Sequence, residues 1–216
     1  MRFNLRALRL IFVPPVNLLL ILIFGSLLAS ASILYYTQVT YLENDLFRFE
    51  NQFVELRIPK NWYGSPLEYN DPSSGRNAFS AYLANPEGAI YIGLQIYDET
   101  TTRIILERYN LSDARSIINY EVNATYYAIL ESYSNATLFF IENGTRMVSS
   151  YEADYSTFKI INGFMENNVP KNISYMIFSF FNDGRLIKIA YWGKEEDFVS
   201  SYHVLEMFIS NLRLKI

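Results

Sequence analysis

The chain has 216 residues, of which 50% are hydrophobic, 17% aromatic and 19% charged, and it contains no cysteine. This composition excludes a disordered chain, a disulfide framework, a cysteine-ligated zinc site and cysteine catalysis. Arg2, Arg6 and Arg9 are the only charged residues before Glu43, and the rest of the chain carries 15 Lys and Arg against 22 Asp and Glu. Because an acidic domain is poorly suited to binding phosphates, we expect no nucleic acid partner.

An uncharged segment near the N-terminus predicts a single transmembrane helix. Residues 16–36 are apolar or small at nearly every position, and a helix of this length spans about 31 Å, the thickness of the bilayer hydrocarbon core. Pro14 and Pro15 precede it, where proline suits the start of a helix. The N-terminal arginines predict a cytoplasmic N-terminus and a domain outside the cell membrane. The predicted organisation is a cytoplasmic segment 1–15, the helix 16–36 in the lipid bilayer, a juxtamembrane linker 37–45 and an extracytoplasmic domain 46–216.

A cleaved signal peptide is the alternative for this segment. The basic start, the apolar stretch and the small residues Ala29, Ser30 and Ala31 fit a cleavage site after Ala31. Apolar character nevertheless continues through residues 33–36, whereas a signal peptide usually turns polar after its cleavage site. We therefore favour an uncleaved anchor, and both interpretations export the domain.

The domain begins with strands. Phe47 and Phe49 suggest a first strand, and residues 54–58 alternate in the period of a half-buried strand that Pro59 ends. Residues 65–77, rich in Pro, Gly, Asn, Asp and Ser, predict a loop. Further strands are predicted at residues 79–83 and 90–96.

Helices and a hairpin follow. Ser112 is a predicted N-cap of a helix through Val122. Residues 173–181 and 186–192 predict a hairpin across Asp183-Gly184, because both central positions of a type I′ turn need positive φ. An apolar stripe from Phe198 to Leu212 predicts one closing helix. Together these elements predict an α+β fold, an antiparallel sheet flanked by helices.

Two segments resemble PsbP/Mog1-like domains. Residues 49–62, FENQFVELRIPKNW, resemble that group's opening, in which a strand leads into an Ile-Pro-x-x-Trp corner. Residues 186–214 are similar to its end: a strand, a short acidic turn and a helix. The resemblance covers about residues 46–216 and implies an α-β-α sandwich around an antiparallel sheet. The family includes photosystem assembly factors, extrinsic photosystem subunits and a binder of a small GTPase, but no functional residue of any member maps onto this chain.

Five N-x-S/T sequons lie in the predicted exported domain, and N-glycosylation is therefore plausible. Glycosylation of a chain without cysteine suits an archaeal cell surface better than a eukaryotic secretory pathway, where disulfides are common. The alternative is that these residues only occupy turns. The candidate asparagines are Asn110, Asn123, Asn135, Asn143 and Asn172.

No catalytic or metal-binding motif emerges from the sequence, and we expect no cofactor. His203, the single histidine, lies beside the apolar stripe of the closing helix, as a surface histidine would. Paired acids occur at Asp98-Glu99, at Glu152 and Asp154, and at residues 195–197. Two carboxylates at a suitable separation can hydrolyse a glycoside or hold Ca²⁺, but acids at residues 195–197 are also explained by the start of a helix.

Aromatic residues are the one surplus, with 18 Tyr and 16 Phe. Most are expected in the core, but some on strand faces or corners can anchor a partner. We choose Trp62 and Trp192 as the candidate binding residues. The favoured interpretation is a non-enzymatic, membrane-anchored module that binds or assembles an envelope or membrane protein. The alternatives are a surface glycan-binding domain and a carboxylate-dependent hydrolase.

Overall fold

The computed structural model describes residues 46–51, 53–71, 76–85, 87 and 89–215. Within these residues the chain forms ten strands and four helices. The strands are β1 (Leu46–Glu50), β2 (Val54–Pro59), β3 (Tyr63–Asp71), β4 (Arg76–Ala84), β5 (Ile90–Tyr97), β6 (Thr137–Val148), β7 (Tyr151–Glu166), β8 (Val169–Asn182), β9 (Arg185–Lys194) and β10 (Arg213–Leu214). The helices are α1 (Glu99–Tyr109), α2 (Ala114–Ser132), α3 (Glu195–Ser200) and α4 (Tyr202–Asn211).

The described strands form two sheets. The larger sheet has the order β3-β4-β5-β9-β8-β7-β6, with antiparallel neighbours throughout, and the smaller has the order β1-β2-β10. The predicted α+β class, with an antiparallel sheet flanked by helices, is therefore confirmed. The small sheet was not predicted. In it the short strand β10, near the C-terminus, pairs with β2, near the start of the domain.

Two hydrophobic cores lie on opposite faces of the large sheet. The first joins β2, α3 and α4 to one face of β4, β5, β8 and β9, and it includes Leu56, Ile92 and Phe208. The second joins α2 to β7 and β8 through buried side chains that include Ile118 and Phe158. Because side chains alternate along a strand, the first core covers one face of β5, and the intervening residues lie on the side of the sheet on which α2 packs over β7 and β8.

The predicted hairpin at Asp183-Gly184 is confirmed. Asp183 has a φ of 48° and Gly184 a φ of 76°, and β8 pairs with β9 from Asn182 opposite Arg185 onward. A second turn of this kind, not predicted from the sequence, joins β7 to β8. There Asn167 and Asn168 have φ values of 51° and 62°, since asparagine tolerates the left-handed region better than most residues.

The predicted loop over residues 65–77 is wrong for its described part. Residues 63–71 form β3 and pair with β4 from Tyr63 opposite Ala84 to Asp71 opposite Arg76. Proline at position 66 is compatible with a strand because β3 lies at the edge of the sheet, where one side of the strand has no neighbour among the described strands to bond to.

Two helix predictions are also corrected. Asp113, one residue after Ser112, caps α2, and its carboxylate accepts a hydrogen bond from the backbone N–H of Ser116 at 2.7 Å. The closing helix is divided into α3 and α4 at Ser201. The hydroxyl of Ser200 donates to the backbone oxygen of Asp197, and such local bonds compete with continuous helix.

In the part of the chain that the structure describes, no helix has both the length and the apolar character needed to cross a bilayer. The predicted transmembrane helix 16–36 and its flanking segments 1–15 and 37–45 lie outside the described residues.

Candidate functional site

Strand register assembles a groove on the face of the large sheet opposite the first core. The first core takes Ile90, Ile92, Leu94 and Ile96 of β5, so the intervening residues of β5 face the groove. Cross-strand pairing aligns Tyr91 with Trp192, Gly93 with Ala190, and Gln95 with Lys188. These three pairs form an aromatic row, a row of small side chains and a polar row across β5 and β9.

The aromatic row gives the groove one aromatic platform, the Trp192 ring, which Tyr91 backs from behind. The rings of Tyr91 and Trp192 stack with centroids 5.3 Å apart and planes inclined by 15°. Tyr175 of β8 lies directly across from Trp192 in the register and extends the row along the groove wall. Burial raises the pKa of Tyr175 to about 12, so its hydroxyl stays protonated at physiological pH.

Gly93 shapes the groove floor. A Cβ atom at this position would lie 3.3 Å from Cζ3 of Trp192 and 3.3 Å from Cε1 of Tyr82. The missing side chain therefore lets the two rings approach the backbone of β5 from either side. Tyr82 is 48% exposed, and its hydroxyl accepts a hydrogen bond from the Gln95 side-chain amide at 3.1 Å.

The polar row contains an ion pair between sheet and helix. Nζ of Lys188 donates to Oε1 of Glu121 on α2 at 2.5 Å, and the two side chains are only 14% and 29% exposed. The same ammonium lies 5.2 Å from the ring centroid of Tyr97. Burial alone would lower the pKa of Lys188, but Glu121 and Tyr97 together outweigh burial and raise it above its ordinary value. Lys188 is therefore charged at neutral pH.

Helix α2 forms one wall of the groove. Its buried residues Ile118 and Val122 pack over β7 and β8, which leaves the β4 and β5 side of the sheet face uncovered. Glu121 and Thr125, one helical turn apart, line the groove from the helix. The resulting cavity has a volume of about 280 Å³.

A second cavity adjoins the groove. It lies between α1 and α2, has a volume of about 310 Å³ and also reaches Lys188 and Glu121. Its walls are mainly apolar, with Ile104, Ile105 and Ile117 among them. The Lys188–Glu121 pair thus stands at the boundary between a polar, aromatic groove and an apolar cleft.

The two tryptophans that the sequence singled out lie apart. Trp192 lies in the groove, half-buried, with one ring face on Tyr91. Trp62 follows β2, where its backbone N–H bonds to the oxygen of Pro59 at 3.0 Å, and its side chain packs against the first core. The structure therefore does not bring the two candidate binding residues together.

Four of the five sequon asparagines are exposed. Asn110 caps the end of α1 in the left-handed conformation, and the other three lie on α2, in the turn before β6 and on β6 (Asn123, Asn135 and Asn143). Asn172 is half-buried, and its Nδ2 atom donates to Oε2 of Glu195 at 2.8 Å. A glycan on Asn172 would have to replace that bond.

Two of the acidic side chains that the sequence singled out are held in ion pairs. Asp154 pairs with Arg115 at 2.5 Å, and Glu195 pairs with Lys159 at 2.6 Å. The Lys159 and Asn172 side chains hold the pKa of Glu195 below its ordinary value. Within the described residues, no group of three or more metal-ligating side chains comes together. His203 is exposed, with Nδ1 3.1 Å from the Ser200 backbone oxygen.

Most residues of the groove were not predicted. The alternation along β5 is visible in the sequence and places Gly93 and Gln95 on one face with Tyr91. However, the partners of that face come from β4, β9 and α2, and no local pattern gives the register between separate strands. One sequence signal could have identified Lys188. It is a single charged residue between Ile187 and Ile189, on a strand whose other face is apolar.

Comparisons with known proteins give likeness of fold. No protein-family model and no curated protein matches the chain. Among solved structures, it is similar to cyanobacterial PsbP (CyanoP) from Synechocystis, with 12% identity and a TM-score of 0.48 over 79% of this chain and 92% of that one.

Two further structures are similar. One is from Bacteroides thetaiotaomicron, with 10% identity and a TM-score of 0.40 over 78% of this chain and 48% of that one. The other is LpqN, involved in cell envelope biogenesis of Mycobacterium tuberculosis, with 6% identity and a TM-score of 0.40 over 81% of this chain and 94% of that one. A PsbP domain, the kind of domain that the sequence also resembles, is thus among the similar solved structures. These likenesses concern the fold alone.

Proposed function

We propose that the protein is a membrane-anchored, extracytoplasmic binding module, and that the groove beside Trp192 is its contact site for a partner in the envelope or the membrane. The anchor is the apolar segment 16–36, with the arginine-flanked N-terminus in the cytoplasm. The observation that carries the proposal is the groove itself: the Trp192 ring, backed by Tyr91, a small-residue floor and a polar row line one concavity of the described domain.

The chemistry of the groove supports binding. Tyrosine and tryptophan offer a large contact area with a polar tip and lose little side-chain freedom, which is why they dominate contact sites. Tyr82 and Trp192 leave part of their rings accessible, while the stack with Tyr91 and the close approach to Gly93 fix their orientation. A contact site that is already ordered avoids much of the entropy cost of binding.

The state of the carboxylates favours binding over catalysis. A general acid or base needs a side chain available to the reacting group. Asp154 and Glu195 are instead in ion pairs that join elements of the fold, and Glu121 is held by Lys188. We therefore infer that the domain acts without a chemical step.

The predicted anchor would strengthen weak contacts with a membrane partner. A tether confines the domain to a thin layer beside the bilayer and raises its effective concentration near membrane partners. Weak contacts then suffice, so a shallow groove on a small domain is adequate for the task.

Crosslinking on intact membranes tests the proposal. Trp192→Ala is expected to abolish the crosslinked species. Tyr127→Ala, which removes a 62% exposed ring outside the groove, is the matched control and should leave the species unchanged. Trp62→Ala tests the other predicted binding residue and is expected to act through stability, because Trp62 packs on the first core. A folded Trp192→Ala protein that gives the wild-type crosslinks would contradict the proposal.

A further inference from the structure

We infer that the groove binds a single sugar ring without net charge, carried by a glycoconjugate of the envelope. The inference rests on the proposed binding function and adds the chemical class of the bound group. Three features of the groove carry it: the platform and its size, the ring of polar groups, and the balance of charge.

The aromatic platform and the volume of the cavity suit one sugar ring. A pyranose has an apolar face of C–H groups that packs flat on an aromatic ring, and Trp192, stacked on Tyr91, presents such a ring to the groove. The cavity of about 280 Å³ lies just below the range of about 300–1,000 Å³ that drug-sized ligands occupy. Gly93 lets the Trp192 and Tyr82 rings lie close to β5, and the small, half-buried Ala190 leaves room beside Trp192 for a flat group.

The polar groups suit the edge of a sugar. The lining combines the amide of Gln95, the hydroxyls of Tyr82 and Thr125, the ammonium of Lys188 and the carboxylate of Glu121. These groups include both donors and acceptors, and each sugar hydroxyl both donates and accepts. An aromatic side chain from a protein partner would stack equally well on the platform. It would, however, cover these polar groups without hydrogen bonding to them, which is unfavourable.

The charge of the groove favours a neutral ligand. Lys188 and Glu121 form a largely buried pair whose charges cancel. An anionic ligand that approached Lys188 would meet the carboxylate of Glu121, and a cationic ligand would meet the ammonium. A neutral ring can accept from Lys188 and donate to Glu121 while the pair stays intact.

Glycan binding by the full chain tests the inference, in a detergent that has no sugar headgroup. The first probe is an array of neutral hexoses, N-acetylhexosamines and hexuronic acids. The second is a fluorescence titration with methyl glycosides of glucose, galactose, mannose and N-acetylglucosamine. Trp62→Phe leaves Trp192 as the single tryptophan for this titration, because the chain contains only two. The array does not depend on that variant.

We expect at least one neutral glycan to bind and at least one neutral glycoside to shift the Trp192 emission saturably. Gly93→Ala, whose methyl group would displace the Trp192 and Tyr82 rings, and Gln95→Ala, which removes the amide, should each weaken binding about tenfold. Tyr127→Ala should bind as the wild type does. Hexuronic acids should bind at least about tenfold more weakly than their neutral counterparts.

Three results would overturn the inference: no neutral glycan bound, a preference for hexuronic acids, or binding that Gly93→Ala and Gln95→Ala leave unchanged. The proposed function fails separately. If the Trp192-dependent crosslink to the envelope persists in saturating glycoside, the partner binds through protein and only the sugar inference is lost. If a neutral sugar binds but no envelope species crosslinks from the groove, the partner-binding proposal is lost.

Protease digestion of the crosslinked species identifies the source of the sugar. A glycoside-sensitive crosslinked species that protease digests to small fragments is a glycoprotein, and one that resists protease is a polysaccharide. Both results support the sugar inference, because the ring and its recognition are the same.

Discussion

A single ion pair dominates the electrostatics of the groove. Lys188 lies on a strand whose neighbours Ile187 and Ile189 are buried, and removing an ammonium from water is unfavourable unless an opposite charge compensates. Glu121 supplies that charge from α2, so the pair also fixes the helix above the sheet. The position of the groove wall and the charge of the groove thus depend on the same contact.

Glu121→Gln is expected to destabilise the domain by about 1–3 kcal/mol at neutral pH, because Lys188 is then buried without its partner. Urea unfolding measures the loss. A double variant, Glu121→Leu with Lys188→Met, is the control and should regain most of the stability, since it leaves no unpaired charge. Equal stability of Glu121→Gln and the wild type would show that the pair contributes nothing.

The pH dependence of this variant has a defined sign. In the wild type the pKa of Lys188 is raised above 10.5, so its stabilising effect is fully present below that value and is lost as the pH rises through the raised pKa. Glu121→Gln removes the largest influence that raises the pKa of Lys188 and leaves burial, which lowers it, opposed by Tyr97 alone, so the pKa of Lys188 should fall. The stability difference between the two proteins should therefore be largest at neutral pH and shrink well above pH 10.5. A difference that grows with pH would contradict this account.

Glycosylation is predicted to spare Asn172. Its Nδ2 atom, the attachment point of an N-glycan, donates to Glu195, and its Oδ1 accepts from the backbone N–H of Asn162. Asn135 is exposed in a turn and offers a direct comparison within the same protein. Glycopeptide mass spectrometry of the natively expressed chain should find glycan at exposed sequons such as Asn135 and none at Asn172. A fully occupied Asn172 would mean that its contact with Glu195 is absent in the mature protein.

At the scale of elements, the turns decide which strands pair. The β8–β9 turn places Asp183 and Gly184 at positive φ, and the strands that it joins lie in the middle of the large sheet. One of them, β9, carries Lys188 and Trp192, so the turn also sets the register that places Tyr175 of β8 across from Trp192.

Gly184→Val should lower the free energy of unfolding by about 1–3 kcal/mol, because a β-branched residue resists positive φ. Gly184→Asn is the matched control and should cost less, since asparagine tolerates that region. Thermal or urea unfolding of both variants gives the comparison. If the valine variant is as stable as the asparagine variant, the turn conformation is not what stabilises this hairpin.

Local patterns in the sequence were sufficient for elements with clear periodicity or turn chemistry. The strand 90–96 and the Asp183-Gly184 hairpin could be predicted because alternation and positive-φ residues are local properties. The hairpin of β3 and β4 could not, since Pro and Gly over residues 65–77 also suit a loop and only an edge position makes proline acceptable in a strand. The break at Ser201 was hidden because the apolar stripe continues across it.

At the scale of the whole molecule, contacts between distant segments set the architecture. The strand order places β9 between β5 and β8, and β10 returns to β2 from the end of the chain. No local pattern specifies either contact. For the same reason Trp192 could be proposed from its residue type, whereas its neighbours Tyr82 and Glu121, which come from other elements, could not.

The predicted anchor, residues 16–36, determines where the domain acts. N-terminal sequencing of protein purified from membranes should show a mature chain that keeps residues 16–36. Retention in the membrane after a high-salt wash is the accompanying control for peripheral association. A mature chain that begins at Ser32 would contradict the anchor and leave an exported domain without one.

Photo-crosslinking from a defined position tests whether the groove beside Trp192 is the contact site. A photoreactive residue replaces Tyr82, at the groove, or Tyr127, an exposed position outside it, in the full chain on intact membranes. The account predicts a discrete crosslinked envelope species from position 82, its loss when Trp192→Ala is added, and none from position 127. Equal crosslinking from both positions, or crosslinking from position 82 that Trp192→Ala leaves unchanged, would contradict it.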